Sequence, residues 1–595
     1  LQNLIDIIKK NIHLERKVCH FYDQYELKHA FSYSEILNNS IIYAKNIKQC
    51  VPTTKEPILI SLETTPEFLF CFFGIIISGN IPVPVTSSTL TLPRDYAELI
   101  KQISESCQAK YIIAPNNFKS KSLIHLRTDS LSKENPDNIE LNFDLRNDDV
   151  CFIQYSSGST QAPKGVSVTH KNILANLEQI KTGMEVTNKD IICSWLPLHH
   201  DMGLIGALLA SLYTQVDSHL LSPLDFLLSP KSWLQLVSDK KVSVIVAPNS
   251  AYMACVKKVK INELDSPNFE NLRLALSGAE PVNKDICEKF TNHLSSAGFK
   301  DNVMFPVYGL AECTLAVSFN KVGEKLHHLT VNYDKLTSEK IVEIIEESDL
   351  STNIVSCGKP LPGITLEIRK DNGKVLPELN VGEIFVKGPA VVSNYYNQSS
   401  HLQNDWLATG DIGFLNKEEL FIIGRKKDLI IMNGRNIAAL DIETKAYENN
   451  TFNIRRTVAF GFRNKELEEQ VRIVAEICET DPNKRIKIKE HICEQVRTLV
   501  SLKPENISLI PPLLIKRTTS GKVKRYYIKQ MYLLGRVSKW EKNYMSLYYR
   551  SQFLIAKIKF TFIAKKIFYK ITKKNKIKTT VQKQIKVKRI QDGIK

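Results

Sequence analysis

One lysine behind a run of hydroxyls is where this chain first writes chemistry into residue types. The stretch reads Gln154-Tyr155-Ser156-Ser157-Gly158-Ser159-Thr160-Gln161-Ala162-Pro163-Lys164-Gly165. Gly158 lets backbone N–H groups come close to an anion, while Ser156, Ser157, Ser159 and Thr160 offer hydroxyl donors. Lys164 adds a point charge on a flexible arm, which completes the parts of a phosphate cradle. The apolar run Cys151-Phe152-Ile153 precedes it and the β-branched run Val166-Ser167-Val168-Thr169 follows, so the loop joins strand to strand. That spacing is not the GxxxxGK[ST] word that opens a helix, which argues against a kinase or a GTPase. Composition alone leaves a Ser/Gly surface turn open as the other reading.

Further polar clusters sit at the ends of apolar runs. Trp195-Leu196-Pro197-Leu198-His199-His200-Asp201-Met202-Gly203-Leu204-Ile205-Gly206 sets two histidines and an N-cap aspartate before a small, apolar helix. Leu274-Ala275-Leu276-Ser277-Gly278-Ala279-Glu280-Pro281 and Val303-Met304-Phe305-Pro306-Val307-Tyr308-Gly309-Leu310-Ala311-Glu312 each read as a strand ending in a turn. Trp406-Leu407-Ala408-Thr409-Gly410-Asp411-Ile412-Gly413, Gly424-Arg425-Lys426-Lys427-Asp428 and Arg517-Thr518-Thr519-Ser520-Gly521-Lys522-Val523-Lys524-Arg525 follow. Taken singly, Tyr308 fits a core aromatic and Lys522 a surface basic loop.

In this order the segments resemble the motifs of the adenylate-forming enzymes, the superfamily of acyl-CoA synthetases, luciferases and peptide-synthetase adenylation domains. The stretch 196–206 is most like the LPxxHDMGLIG segment of its fatty acyl-AMP ligases, and the resemblance covers nearly all of residues 20–535. It implies that Ser156, Ser157, Gly158, Ser159 and Thr160 hold the β- and γ-phosphates of ATP and that Lys164 assists catalysis beside them. His200 would lie near the fatty acid carboxylate and the α-phosphate. Tyr308 and Gly309 would carry the adenine, with Tyr308 stacked on it, and Gly278 and Ala279 against its edge or other face. Glu312 would help hold Mg2+, Asp411 would accept both ribose hydroxyls, and Arg425 would contact ribose or phosphate. A flat ring, a hard oxygen and a carboxylate are the residue types these roles ask for. Lys427 matches the hinge about which the C-terminal domain turns, and Lys522 the catalytic lysine that reaches both carboxylate and α-phosphate. Met202, Gly203, Ile205, Asn249 and Tyr252 would border the acyl pocket. The 242–252 stretch, a strand and its continuation, equally fits plain core. Where the family commonly has proline three residues after Asn436, this chain has Ala439, followed by the acids Asp441 and Glu443.

The implied reaction is ATP- and Mg2+-dependent adenylation of a medium- or long-chain fatty acid, giving acyl-AMP and pyrophosphate. Residues 321–355, charged and locally amphipathic, delay the next strand. They are read as the insertion that in fatty acyl-AMP ligases disfavours transfer to CoA, or else as a variable surface excursion. On the first reading the acceptor is the phosphopantetheine thiol of a holo acyl carrier protein or a polyketide or peptide synthase. A fatty acyl-CoA synthetase is the alternative enzyme, and a lipid or nucleotide sensor the non-enzymatic one.

These residues need a frame, and 595 residues is too long for one ordinary core. Pro57–Leu62, the apolar helix Phe68–Ile77, Gly79–Val85 and Tyr111–Ala114 alternate as strand, helix and strand, the pattern of a βαβ unit in a mostly parallel sheet. The expected fold is α/β: a large N-terminal domain over 1–426, with mostly parallel sheets sandwiched by helices and a β-barrel-like subdomain. A small mobile α+β domain over 427–534 and a basic amphipathic tail over 535–595 complete it. Twelve scattered cysteines without a C-x-x-C pair point to a reducing, cytoplasmic setting rather than to disulfides or structural zinc. Of the net charge of +17, the stretch 551–595 holds fourteen Lys or Arg against one Asp, so the catalytic body is nearly neutral. Nothing in that tail supports nucleic-acid readout. It suits peripheral contact with an anionic membrane, an acidic partner, or disorder.

Overall fold

The structure, a computed structural model, describes residues 2–556 apart from 24, 89–92, 117, 121, 134–138, 142–143, 156–162, 349, 433–434, 448–450, 464–468 and 518–522. Ser156, Ser157, Gly158, Ser159, Thr160, Lys522 and the tail beyond 556 therefore lie outside the described residues. The chain forms two compact units, the first ending at Ala438 and the second beginning at Ala439.

Short β-branched and apolar runs build the first unit. Six strands lie parallel in the order Cys19–Asp23, Asp217–Leu220, Ile191–Ser194, Val244–Ala247, Leu274–Ser277 and Met304–Gly309. Antiparallel strands close both edges and bring the sheet to nine. Strands buried on both faces read as continuous apolar runs, as Val244–Ala247 and Leu274–Ser277 do. A second sheet of four parallel strands contains Pro57–Ile60, Ile81–Pro84, Tyr111–Ala114 and Ile124–Arg127. After Glu67 in its first turn, the helix Pro66–Ile77 is apolar and buried all round from Phe68 to Ile77. Ser32 and Glu35 form a capping box at the start of the helix Tyr33–Cys50, which fixes where the chain leaves its edge strand.

A four-stranded antiparallel sheet of Thr365–Arg369, Gly382–Lys387, Leu407–Asn416 and Glu419–Arg425 occupies the place of the barrel-like subdomain. The stretch 321–355 is folded. His328–Asn332 and Ser351–Val355 pair antiparallel around the helix Tyr333–Ser338. Leu329, Val331, Leu336, Val342 and Ile354 bury against Ile412, Phe414 and Phe421 of the four-stranded sheet and against Val381 just before its strand Gly382–Lys387. Lys427 sits in a single turn after Arg425, and the chain continues in the first unit through the hairpin Leu429–Met432 and Arg435–Ala438. Arg435 holds that hairpin there, pairing with Asp334 at 2.6 Å and lying over the Tyr333 ring.

The second unit is α+β. Arg456–Arg463 pairs antiparallel with Glu469–Glu476, which pairs parallel with Ile507–Ile510, and the helices Pro482–Val496, Arg525–Leu533 and Arg536–Lys542 belong to the same unit. Glu443 grips Arg525 with both carboxylate oxygens, at 3.0 and 2.8 Å, and also accepts the Ala459 N–H at 2.9 Å. The first part of the stretch assigned to the tail is helix packed on this unit: Val537 and Tyr544 are buried, and the Tyr544 hydroxyl donates to the Ile477 carbonyl at 2.9 Å.

Candidate active site

Ligands of open parallel sheets gather at the carboxyl ends of the strands. Here neighbouring strands release the singled-out residues at that end. His199, His200 and Asp201 follow Ser194, Asn249 follows Ala247, Gly278 and Ala279 follow Ser277, and Glu312 follows Gly309. The hairpin Val150–Tyr155 and Gly165–Thr169 flanks the hydroxyl-rich loop, as the sequence suggested. Gln154 links the two regions, its side-chain amide donating to the His199 carbonyl at 2.9 Å.

The best-defined cluster is Tyr308, Asp411 and Arg425. The Tyr308 hydroxyl donates to one Asp411 oxygen at 2.8 Å, and the Arg425 Nε–H donates to the other at 2.8 Å. Strand register produces this, because Asp411 and Arg425 are direct partners across the sheet. Burial and the Asp411 charge raise the Tyr308 phenol, so it stays protonated and donates. The Asp411 carboxylate raises the half-exposed Arg425 guanidinium further. An ionised carboxylate has about four lone-pair sites, so two neighbours leave capacity for ribose hydroxyls. Gly309 is required by its own backbone, since a Cβ there would stand 1.9 Å from the Leu315 carbonyl oxygen. Ala279 takes a left-handed φ of +66°, a strained conformation for a residue with a Cβ, at the turn that resembles the adenine loop.

Tyr395 gathers a second cluster. Its hydroxyl donates to Glu312 at 3.0 Å, the Lys164 ammonium lies 4.8 Å from its ring centre, and its ring stacks on His401 at 4.5 Å. Backbone pairing puts it there: the Tyr396 N–H donates to the Gly165 carbonyl at 2.7 Å, and Tyr395 bridges Val166. Both His401 ring nitrogens are buried without hydrogen-bond partners among the described residues, and burial lowers its basicity. Neither Tyr395 nor His401 was singled out from the sequence. The paired tyrosines at 395–396, just past the strand Gly382–Lys387, were the signal available.

His200 Nδ1 lies 2.6 Å from Asp201 Oδ1, which also caps the following helix by accepting the Met202 N–H at 2.8 Å. His199 is buried and held at about 3 by desolvation and then by His200. Its Nε2 has no partner among the described residues, and it lines a pocket with Glu63, Thr64, Ser87 and Ser222. Met202, Gly203 and Ile205 lie in a wide π-helical segment, Met202–Leu209, where a Cβ on Gly203 would stand 2.3 Å from the Pro197 carbonyl oxygen. Asn249 and Tyr252 sit on the helix Asn249–Lys258 rather than on an extended strand. Asn249 joins Ser277 to the Pro281 carbonyl, while Tyr252 is fully buried with its hydroxyl on the Leu276 carbonyl and its ring against Phe290.

Magnesium bound with a nucleotide usually takes one or two carboxylates and completes its shell with phosphate and water oxygens. Glu312 offers one carboxylate, and no group of three acidic, histidine or cysteine side chains among the described residues could hold a resident ion. The donor set fits a metal that arrives with its triphosphate.

Residues 14–396 match the AMP-binding enzyme family. The chain is 32% identical over 525 residues to a Caulobacter vibrioides protein whose name places it among acyl-CoA synthetases, covering 86% of this chain and 91% of that protein. It is 30% identical over 579 residues to the medium-chain-fatty-acid–[acyl-carrier-protein] ligase JamA of Moorena producens, covering 90% and 96%. A solved structure from work on fatty acyl-adenylate ligases from E. coli and L. pneumophila matches with a TM-score of 0.82 at 28% identity, covering 90% of this chain and 99% of that one.

Proposed function

The chain belongs to the family of AMP-binding enzymes, and from that premise we propose that it activates a medium- or long-chain fatty acid as acyl-AMP and passes the acyl group to a carrier-bound phosphopantetheine thiol. It is an ATP-dependent adenylating enzyme. The observation that carries the nucleotide part is Asp411, held between Tyr308 and Arg425 with both oxygens aimed by short bonds. In this reading a carboxylate oxygen of the fatty acid attacks the α-phosphorus in line, the α–β bridging bond breaks, and pyrophosphate leaves. No general base is needed, because a carboxylic acid is ionised at neutral pH. Catalysis is then positioning plus charge neutralisation.

Tyr308 supplies the adenine platform and Asp411 the ribose acceptor. Glu312, aimed by Tyr395, is the residue that would hold magnesium, whose chemistry is to neutralise the triphosphate. Lys164 and Ser156, Ser157, Gly158, Ser159 and Thr160 are assigned to the departing phosphates, and His200, oriented by Asp201, to the carboxylate. Lys522 neutralises the α-phosphate region in the first half-reaction. The first unit, to Ala438, acts as the adenylation domain and the second, from Ala439, as the mobile domain, with Lys427 ahead of that boundary as hinge, and Met202, Gly203, Ile205, Asn249 and Tyr252 flank the acyl chain.

Two features favour a carrier thiol as acceptor: similarity to JamA over nearly the whole of both chains, and the folded 328–355 segment seated on the four-stranded sheet. The name of the Caulobacter relative favours the second reading, a fatty acyl-CoA synthetase. Offering CoA and a holo carrier protein side by side decides between them. Acyl transfer to the carrier with little acyl-CoA is expected, and rapid acyl-CoA formation would establish the second reading.

A further inference from the structure

Past the three-stranded sheet of the second unit, residues 544–556 form a helix with two unlike faces. Its inner face is anchored. Tyr544 is buried, with the Arg485 guanidinium 4.5 Å from its ring centre, and Ser551 seven residues on is also buried. On the other face Met545, Tyr549 and Phe553 follow at four-residue steps and form one stripe. They are 39%, 65% and 70% exposed, unusual for side chains of that size in sequence register on one helix. Lys542 and Arg550, both exposed, border the stripe.

The chain then enters 557–595, which holds fourteen Lys or Arg and one Asp, interleaved with Phe560, Phe562, Phe568 and Tyr569. Charge of that sign calls for an anionic surface, and an acidic protein or an anionic bilayer would each supply one. The stripe decides between them. Methionine, tyrosine and phenylalanine offer no charge to pair with carboxylates, but they match the boundary between lipid headgroups and acyl chains, where aromatic side chains insert and neighbouring Lys and Arg stay at the phosphates. No helix of the described residues is long and apolar enough to cross a membrane, which fits a helix lying on the surface.

We propose that the Met545/Tyr549/Phe553 face docks the protein on an anionic lipid bilayer. The inference is independent of the acyl acceptor. Docking would also place the protein beside the phase in which long fatty acids dissolve.

Sedimentation of the full chain with vesicles tests it, comparing phosphatidylglycerol mixed into phosphatidylcholine with phosphatidylcholine alone. Wild type is expected to pellet with the anionic vesicles only, and less at high salt. The double variant Tyr549→Ser/Phe553→Ser should bind them about tenfold or more weakly, from the lost insertion of two aromatic rings. Its thermal melt and pyrophosphate release should be unchanged, because both side chains are exposed and neither has a part in the proposed site. Equal binding to both vesicle types would overturn the proposal, as would a double variant that binds like wild type. So would wild type that ignores vesicles but binds an acidic holo carrier protein through the same two residues. Absence of pyrophosphate release from wild type would count against the proposed activity and leave the vesicle result standing.

Discussion

Replacing Asp411 by asparagine keeps the shape of the side chain and removes its charge. In the wild type two donors at 2.8 Å, from Tyr308 and Arg425, point at a carboxylate that is only 4% exposed. Asparagine can still accept from Tyr308, but its amide then opposes the Arg425 N–H, donor against donor. A ribose hydroxyl that bonded to a charged oxygen would bond to a neutral one or to none. Hydrogen bonds to charged groups are worth about 1.5–3 kcal/mol, which corresponds to roughly 10- to 150-fold in kcat/KM for ATP. The KM for the fatty acid should move little, since the lost contact is on the nucleotide. Steady-state pyrophosphate release with each substrate varied in turn reads the split, and thermal stabilisation by added AMP reads binding without turnover. A variant that keeps its kcat/KM for ATP within about twofold and is still stabilised by AMP would refute the assignment of Asp411 to the nucleotide.

Other substitutions probe the frame. Glu443→Ala strips Arg525 and the Ala459 N–H of a buried partner, so about 3–5 kcal/mol of local stability should go, seen as faster hydrogen exchange in Arg456–Arg463 with the nine-stranded sheet unchanged. Gly309→Ala forces a Cβ against the Leu315 carbonyl and should cost about 2–3 kcal/mol in urea unfolding. His170 accepts the Leu4 N–H on Nδ1, and burial holds it at about 4 in the fold, against an ordinary 6.5. Below pH 6.5 the unfolded chain takes a proton that the folded chain refuses, so stability is full above 6.5 and falls as the pH drops toward 4, by up to about 3 kcal/mol. His170→Gln should flatten that part of the urea-midpoint profile, and an unchanged slope would assign the acid lability elsewhere.

Much of this frame was legible because local pattern and tertiary role agree. Tyr111–Ala114 is a strand with the expected limits, and the apolar run at 68–77 is a fully buried helix. Asn249 and Tyr252 were read as continuing a strand, yet they open a helix, because Pro248 and a single turn suffice to switch the period after Ala247. The charged run 335–348 hid a buried face: Leu336 and Val342 look like isolated apolar residues until Phe414 and Phe421 arrive from another sheet. Long-range pairing also hid Tyr395. It meets Glu312, 83 residues earlier, only because the backbone at Tyr395 and Tyr396 pairs with Val166 and Gly165. Gly309 was legible as a glycine, but the reason lies in its own Leu315 carbonyl as much as in any ligand.

The central claim is that a fatty acid carboxylate attacks the α-phosphorus of ATP, and isotope transfer tests it most directly. With dodecanoate carrying 18O in both carboxylate oxygens, one label becomes the bridging oxygen of acyl-AMP. When a thiol takes the acyl group, that oxygen should leave in AMP, with none in pyrophosphate. Label in orthophosphate with release of ADP, or AMP free of label after transfer, would contradict the account.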